Sequence, residues 1–480
     1  MLTHTANGGS PLSCEPLSFW PRVREFAVPP SVIETATARR RAGDWAGACA
    51  AAGVDVDLQP RAVAGAHGRE LAARLRADLR HLAPDLLRWH MPRIAPDGLL
   101  RPGLTVTLAR YDAAGRDGVS PLHLVVRTPP AWADAGQRIS LALWDASRTE
   151  GADRRHPHPR PSRRFRLDLH RHLWDARRAG ELGVRCGAER PSGDGRPAMA
   201  TDTEPAMDAE PAVAMDRELA GLLPRGHSCA VDRWAAEAAI LLRAEGRSGS
   251  RVCVRLGARR RLVLDVSDGS VVAHGHRGDS SLPVLPDAAT WVLPDLALLR
   301  AGAIDAGRLH PLVASALRAE RVPAGTSRVP RPAGDPRVVE CRGARHRIGL
   351  VDGVLTALDH DPAEIRREEL LVALGGPPLP CLRAIDDAHR RPDCLTGVRE
   401  RLDHGDVAGA LAVVEGLLGP EAVLRDGPLR EALETAARRR VAHGLFRAGL
   451  AGPSPGRLRP GDLNASRDRG AGTRHAPAFF

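Results

Sequence analysis

The 480-residue chain contains no lysine: all 69 of its basic residues are arginine. That absence excludes a Walker-A lysine, a kinase strand lysine, a Schiff base to a carbonyl or pyridoxal group, and a Ser-x-x-Lys nucleophile. Aromatic residues make up only 3% of the chain, with Tyr111 the single tyrosine, so a core has to rest on Leu, Val and Ala. Asparagine occurs twice, at Asn7 and Asn464. No apolar run approaches the roughly 18 residues of a spanning helix, so no membrane contact is expected. Residues 1–21 lack a basic segment followed by an apolar stretch, which predicts a cytoplasmic protein. The eight cysteines are dispersed, and no two form a Cys-x-x-Cys. They read as buried free thiols. No metal ligands and no cofactor are assigned.

Turn signals and periodicity predict an α+β protein of helical segments packed with small antiparallel β-meanders, in two units joined by a disordered linker. Residues 1–29 read as an irregular arm. Residues 30–186 read as helices followed by an antiparallel sheet over 104–170, its fourth strand at Arg163–Leu169. Residues 187–215 are rich in Pro, Ala, Gly and acids and read as the linker. Residues 216–450 form a mixed domain with a helical stretch over about 287–320, and 451–480 form a frayed tail. Meanders are expected at 252–273 and 338–358, the latter turning at Asp352-Gly353. Asp361-Pro362-Ala363-Glu364 is a helix start, with Asp as cap and Pro in the first position.

One octapeptide recurs. Gly43-Asp44-Trp45-Ala46-Gly47-Ala48-Cys49-Ala50 matches Gly405-Asp406-Val407-Ala408-Gly409-Ala410-Leu411-Ala412 at six positions. Both copies lie between helical runs. The pattern resembles a tetratricopeptide-type turn, but there is no third copy and no 34-residue period.

The net charge of +11 is concentrated. Residues 154–178 hold nine arginines against two aspartates, and 186–216 hold seven acids against two arginines. Arg154, Arg155, Arg160, Arg163, Arg164, Arg166 and Arg171 are therefore the candidates for binding nucleic acid or an acidic partner. Interleaved His156, His158, His170 and His172 have no third ligand at a convincing spacing. Gly226-His227-Ser228-Cys229-Ala230 resembles the nucleophile elbow of α/β-hydrolases, but lacks the preceding strand, and Ser228 reads as the cap of a helix from about Ala230. His360-Asp361 resembles a phosphohydrolase metal pair, with Asp361 already explained as a cap. With no catalytic constellation, the chain reads as a non-catalytic adaptor or scaffold that binds another cytoplasmic protein. The alternative is a nucleic-acid-associated protein using 154–178. A third reading is an enzyme whose acid/base groups are Asp and His.

Overall fold

The computed structural model describes residues 18–112, 121–146, 156–188, 223–224, 228–257, 260–266, 272–275, 281–318, 337–451 and 478–479. The linker expected at 187–215 lies, from residue 189, outside them, as do most of the N-terminal arm and of the tail. The described residues are mixed α+β, with helices packed around four small sheets. None of their helices is long and apolar enough to cross a membrane.

The first unit opens with helices α1 (Trp20–Phe26), α2 (Pro30–Arg41), α3 (Trp45–Ala51), α4 (Pro60–His67), α5 (Arg69–His81) and α6 (Pro84–Trp89). Pro30, Pro60 and Pro84 occupy first turns, where the missing N–H costs nothing. Strand β1 (Val54–Val56) precedes α4; β2 (Arg93–Ile94), β3 (Leu99–Leu100), β4 (Thr105–Tyr111), β5 (Leu122–Arg127) and β6 (Ile139–Asp145) follow α6. The main sheet runs β1-β6-β5-β4, antiparallel except for β1, which pairs parallel with β6.

Arg163–Leu169 is not the fourth strand. It touches β4 through one bridge at Thr107–Arg166. Its alternation arises because Phe165 and Leu167 plug the core while Arg164 and Arg166 reach acids on the other side.

After α7 (Leu182–Cys186), helix α8 (Val231–Ala244) packs on a meander of β7 (Arg251–Arg255), β8 (Arg261–Asp265) and β9 (Val272–Gly275). Ser228 does not cap α8: the cap position is Ala230, and the Ser228 carbonyl accepts from Val292 N instead. The helical stretch expected over 287–320 consists of three short helices, α9 (Asp287–Thr290), α10 (Pro294–Arg300) and α11 (Pro311–Ala316), separated where Trp291 turns extended ahead of Pro294 and again ahead of Pro311. Leu298, Ile304, Leu309 and Val313 return to the first core.

The third meander is β10 (Arg337–Cys341), β11 (Ala344–Val351) and β12 (Val354–Ala357). Asp352 and Gly353 both take positive φ, as a two-residue hairpin turn requires. Helices α12 (Pro362–Ala373), α13 (Pro380–Arg390), α14 (Leu395–His404), α15 (Val407–Leu418) and α16 (Pro428–Ala448) complete the described chain apart from 478–479, which pairs with β2. Asp361 accepts from Ala363 N at 2.7 Å as expected. The repeated octapeptide is a repeated device. Asp44 accepts from Gly47 N at 2.8 Å and Asp406 from Gly409 N at 2.9 Å, each with an arginine five residues earlier on its carboxylate.

Candidate functional site

Of the arginine-rich stretch, Arg164, Arg166 and Arg171 are drawn into the fold. Arg154 and Arg155 lie outside the described residues. Arg164 Nε donates to Asp287 Oδ1 at 2.6 Å, while burial pushes the Asp287 carboxyl up. Arg166 forks onto Asp168 and reaches Glu245 Oε1 at 2.7 Å. Arg171 joins Asp78 and Asp175, Arg177 joins Asp175, and Arg178 joins Glu181. Charge along the chain does not reveal this, because Asp78, Glu245 and Asp287 come from distant elements. Arg160, Arg163, Arg177 and Arg178 are exposed. Arg163 lines a cleft of about 460 Å³ with Arg110, Arg166, Arg247, Glu245 and Ser281.

The histidines separate. His156 is buried with Nε2 on the Thr128 carbonyl at 2.9 Å. His170 and His172 meet edge to face at 5.6 Å. With His90, Arg185 and Glu237 they line a cavity of about 30 Å³, into which Arg185 and Glu237 bring a two-bond ion pair of 2.7 Å each. Burial holds all three imidazoles neutral: His90 and His170 fall to about 4, and His172 well below its ordinary value. His90 Nε2, His170 Nε2 and His172 Nδ1 have no protein partner. The space accommodates a bridging water and no substrate.

Two further buried polar arrangements sit in the first core. The Arg24 guanidinium lies between the Trp20 and Trp89 rings, 4.6 and 4.5 Å from their centroids, and donates to Asp295 Oδ2 at 2.7 Å. His310 Nε2 meets Asp85 Oδ2 at 3.0 Å, while its Nδ1 accepts from Leu312 N. Both partners are almost fully buried, so this pair holds α11 against α6 rather than facing a substrate.

Among the described residues, one group of three side chains is close enough to share a metal ion. Cys341, His360 and Cys381 place their ligand atoms within 4.8 Å of one another. The residues are about twenty positions apart, so no short motif announces them.

Exposed apolar surface is just as localised. Among the described residues, fourteen large apolar side chains are well exposed, and twelve of them lie between Val338 and Leu450. Helix α12 buries none of its residues. Leu370 is 65% exposed, Leu371 51%, and Leu374, just past the helix end, 84%. The apolar run Leu370-Leu371-Val372 ahead of Gly375-Gly376 was the available sequence signal for this ridge.

No family model, no curated protein and no solved structure matches this chain.

Proposed function

We propose that this chain is a non-catalytic cytoplasmic adaptor or scaffold that docks another protein through the Leu370–Leu374 ridge. The observation that carries the reading is α12 itself: a whole helix with no buried residue, ending in leucines open to water. Apolar surface gains about 25 cal/mol per Å² when covered, and an open patch of this kind marks an interaction site. Covering it needs an apolar partner face. The test is capture from native cytoplasm by the full chain and by a Leu370→Ser/Leu374→Ser variant, with the melting curves compared. The reading expects a partner retained by the parent across several salt concentrations and lost by the variant, with melting unchanged. The same proteins on both, or none on either, overturns it.

A second reading has its own observation. Arg110, Arg163, Arg166 and Arg247 converge on one cleft, which suits a phosphate backbone. Retention on a polyanion column should fall in Arg163→Glu/Arg247→Glu and should weaken with salt. Arg164 and Arg166 are left alone because each is already tied to an acid of the fold, Asp287 and Asp168 respectively. Retention unchanged by the double substitution removes the cleft from consideration.

A further inference from the structure

We infer that Cys341, His360 and Cys381 bind a zinc ion that ties the third meander to the helix packed on it. The three residues come from three separate segments. Cys341 ends β10, just before a tight turn at Arg342 and Gly343, both at positive φ. His360 stands immediately before the cap of α12, and Cys381 lies in the first turn of α13. Both sulfurs belong to fully buried residues and neither is in a disulfide.

The imidazole is already oriented. His360 Nδ1 donates to Glu364 Oε2 at 3.3 Å. That leaves Nε2, buried and without a partner, as the lone pair available to an ion. A carboxylate behind a ligating histidine fixes its tautomer and raises its basicity. His346 stacks over the His360 ring at 4.3 Å and 15°, and its buried Nδ1 also lacks a partner. Two thiolates and imidazole suit zinc. Two sulfurs at about 2.3 Å from one tetrahedral ion lie about 3.8 Å apart, within the 4.8 Å spread of the ligand atoms. Binding releases two protons, one from each thiol, and requires no oxidant.

The surroundings show what such an ion would do. The meander's inner face meets a core of only six buried residues: Cys341, Ile348, Ala357, Leu379, Cys381 and Ile385. Its outer face leaves Val338, Val351 and Val354 exposed. A core this small calls for a staple, and two of its six members are the cysteines. The inference does not rest on partner docking: a chain that holds zinc and captures no protein keeps it.

The test uses the full chain, purified under reducing conditions from zinc-containing medium. Elemental analysis should find one zinc per chain. Cobalt exchanged for it should give the charge-transfer absorption of a thiolate-bound ion. Cys381→Ser should lose the metal. Because that variant removes a core side chain, Glu364→Gln is measured beside it; it keeps all three ligands and should weaken zinc binding about tenfold. Parent protein that carries no zinc and takes up no cobalt overturns the inference. So does zinc content unchanged in Cys381→Ser.

Discussion

Gly136 and Gly405 meet backbone to backbone. A Cβ on Gly136 would lie 2.6 Å from the Gly405 Cα, and one on Gly405 would overlap the Gly136 carbonyl oxygen. This is where the α14–α15 turn docks on the first unit, beside the Arg88 guanidinium, which donates to the His404 carbonyl at 2.9 Å. Gly43, the equivalent residue of the repeated octapeptide, has nothing within 4 Å of its own Cβ position. Both glycines take positive φ. Gly43→Ala should therefore cost only the left-handed backbone strain, about 1 kcal/mol. Gly405→Ala adds overlap with backbone and should cost about 3 kcal/mol. Urea midpoints at unchanged slope measure both. Equal losses would mean that the two turns share one environment.

The capping aspartates should differ in the same direction. Asp44 and Asp406 make the same hydrogen bond, but the Asp406 side chain is 10% exposed and that of Asp44 41%. Asp44→Ala should cost about 0.5 kcal/mol and Asp406→Ala about 2 kcal/mol, the two ends of the range for helix caps. Thermal melts of the two variants side by side decide the order.

Among the described residues, Arg24 and Asp295 form the most deeply buried ion pair with arginine, at 1% and 0% side-chain exposure. Removing one partner strands the other charge, so Arg24→Met should destabilise by about 3–5 kcal/mol. Arg24→Met/Asp295→Asn should recover part of that loss, since no bare charge remains. A double variant less stable than Arg24→Met would contradict this account.

Acid should weaken the fold through its buried histidines. His90 and His170 titrate near 4 in the folded chain against an ordinary 6.5. Between those values the unfolded chain binds more protons, so stability is full above about pH 6.5 and falls as pH drops toward 4. Asp287, whose burial raises its carboxyl, acts in the opposite sense, so the measurement is made on one residue's difference. His90→Asn should flatten the stability–pH slope in this window by about 1.4 kcal/mol per pH unit. Chemical denaturation at pH 7, 6 and 5 reads it. A slope identical to the parent's would show that His90 does not titrate there.

Local features were the legible ones. The strands of all three meanders, the Asp352-Gly353 turn, the Asp361 cap and the Gly-Asp turns each depend on neighbouring residues, and each is where spacing places it. Non-local features were not. Strand β1 is three residues long and owes its existence to β6, more than eighty positions later. Arg163–Leu169 alternates like a strand because its two faces meet a core and distant acids, not because it has ladder partners. The Cys341, His360 and Cys381 group needs the β10–β11 turn and α13 to bring it together. That Arg164, Arg166 and Arg171 pair with Asp287, Glu245 and Asp78 was likewise invisible along the chain.

The Arg24–Asp295 and Asp85–His310 pairs also set an order of events during synthesis. A ribosome adding about 5–20 residues per second makes residue 24 many seconds before residue 295 exists. Until then Arg24 has no Asp295 carboxylate to pair with, and Asp85 no His310. The first core is therefore the first begun and cannot be the first finished. The α8 meander, whose elements are contiguous from 231 to 291, can close while its neighbour waits. A stop codon anywhere before α11 leaves a chain that has spent most of its length on a core it cannot seal, so truncated products should be substrates for chaperones and proteases rather than shorter working proteins.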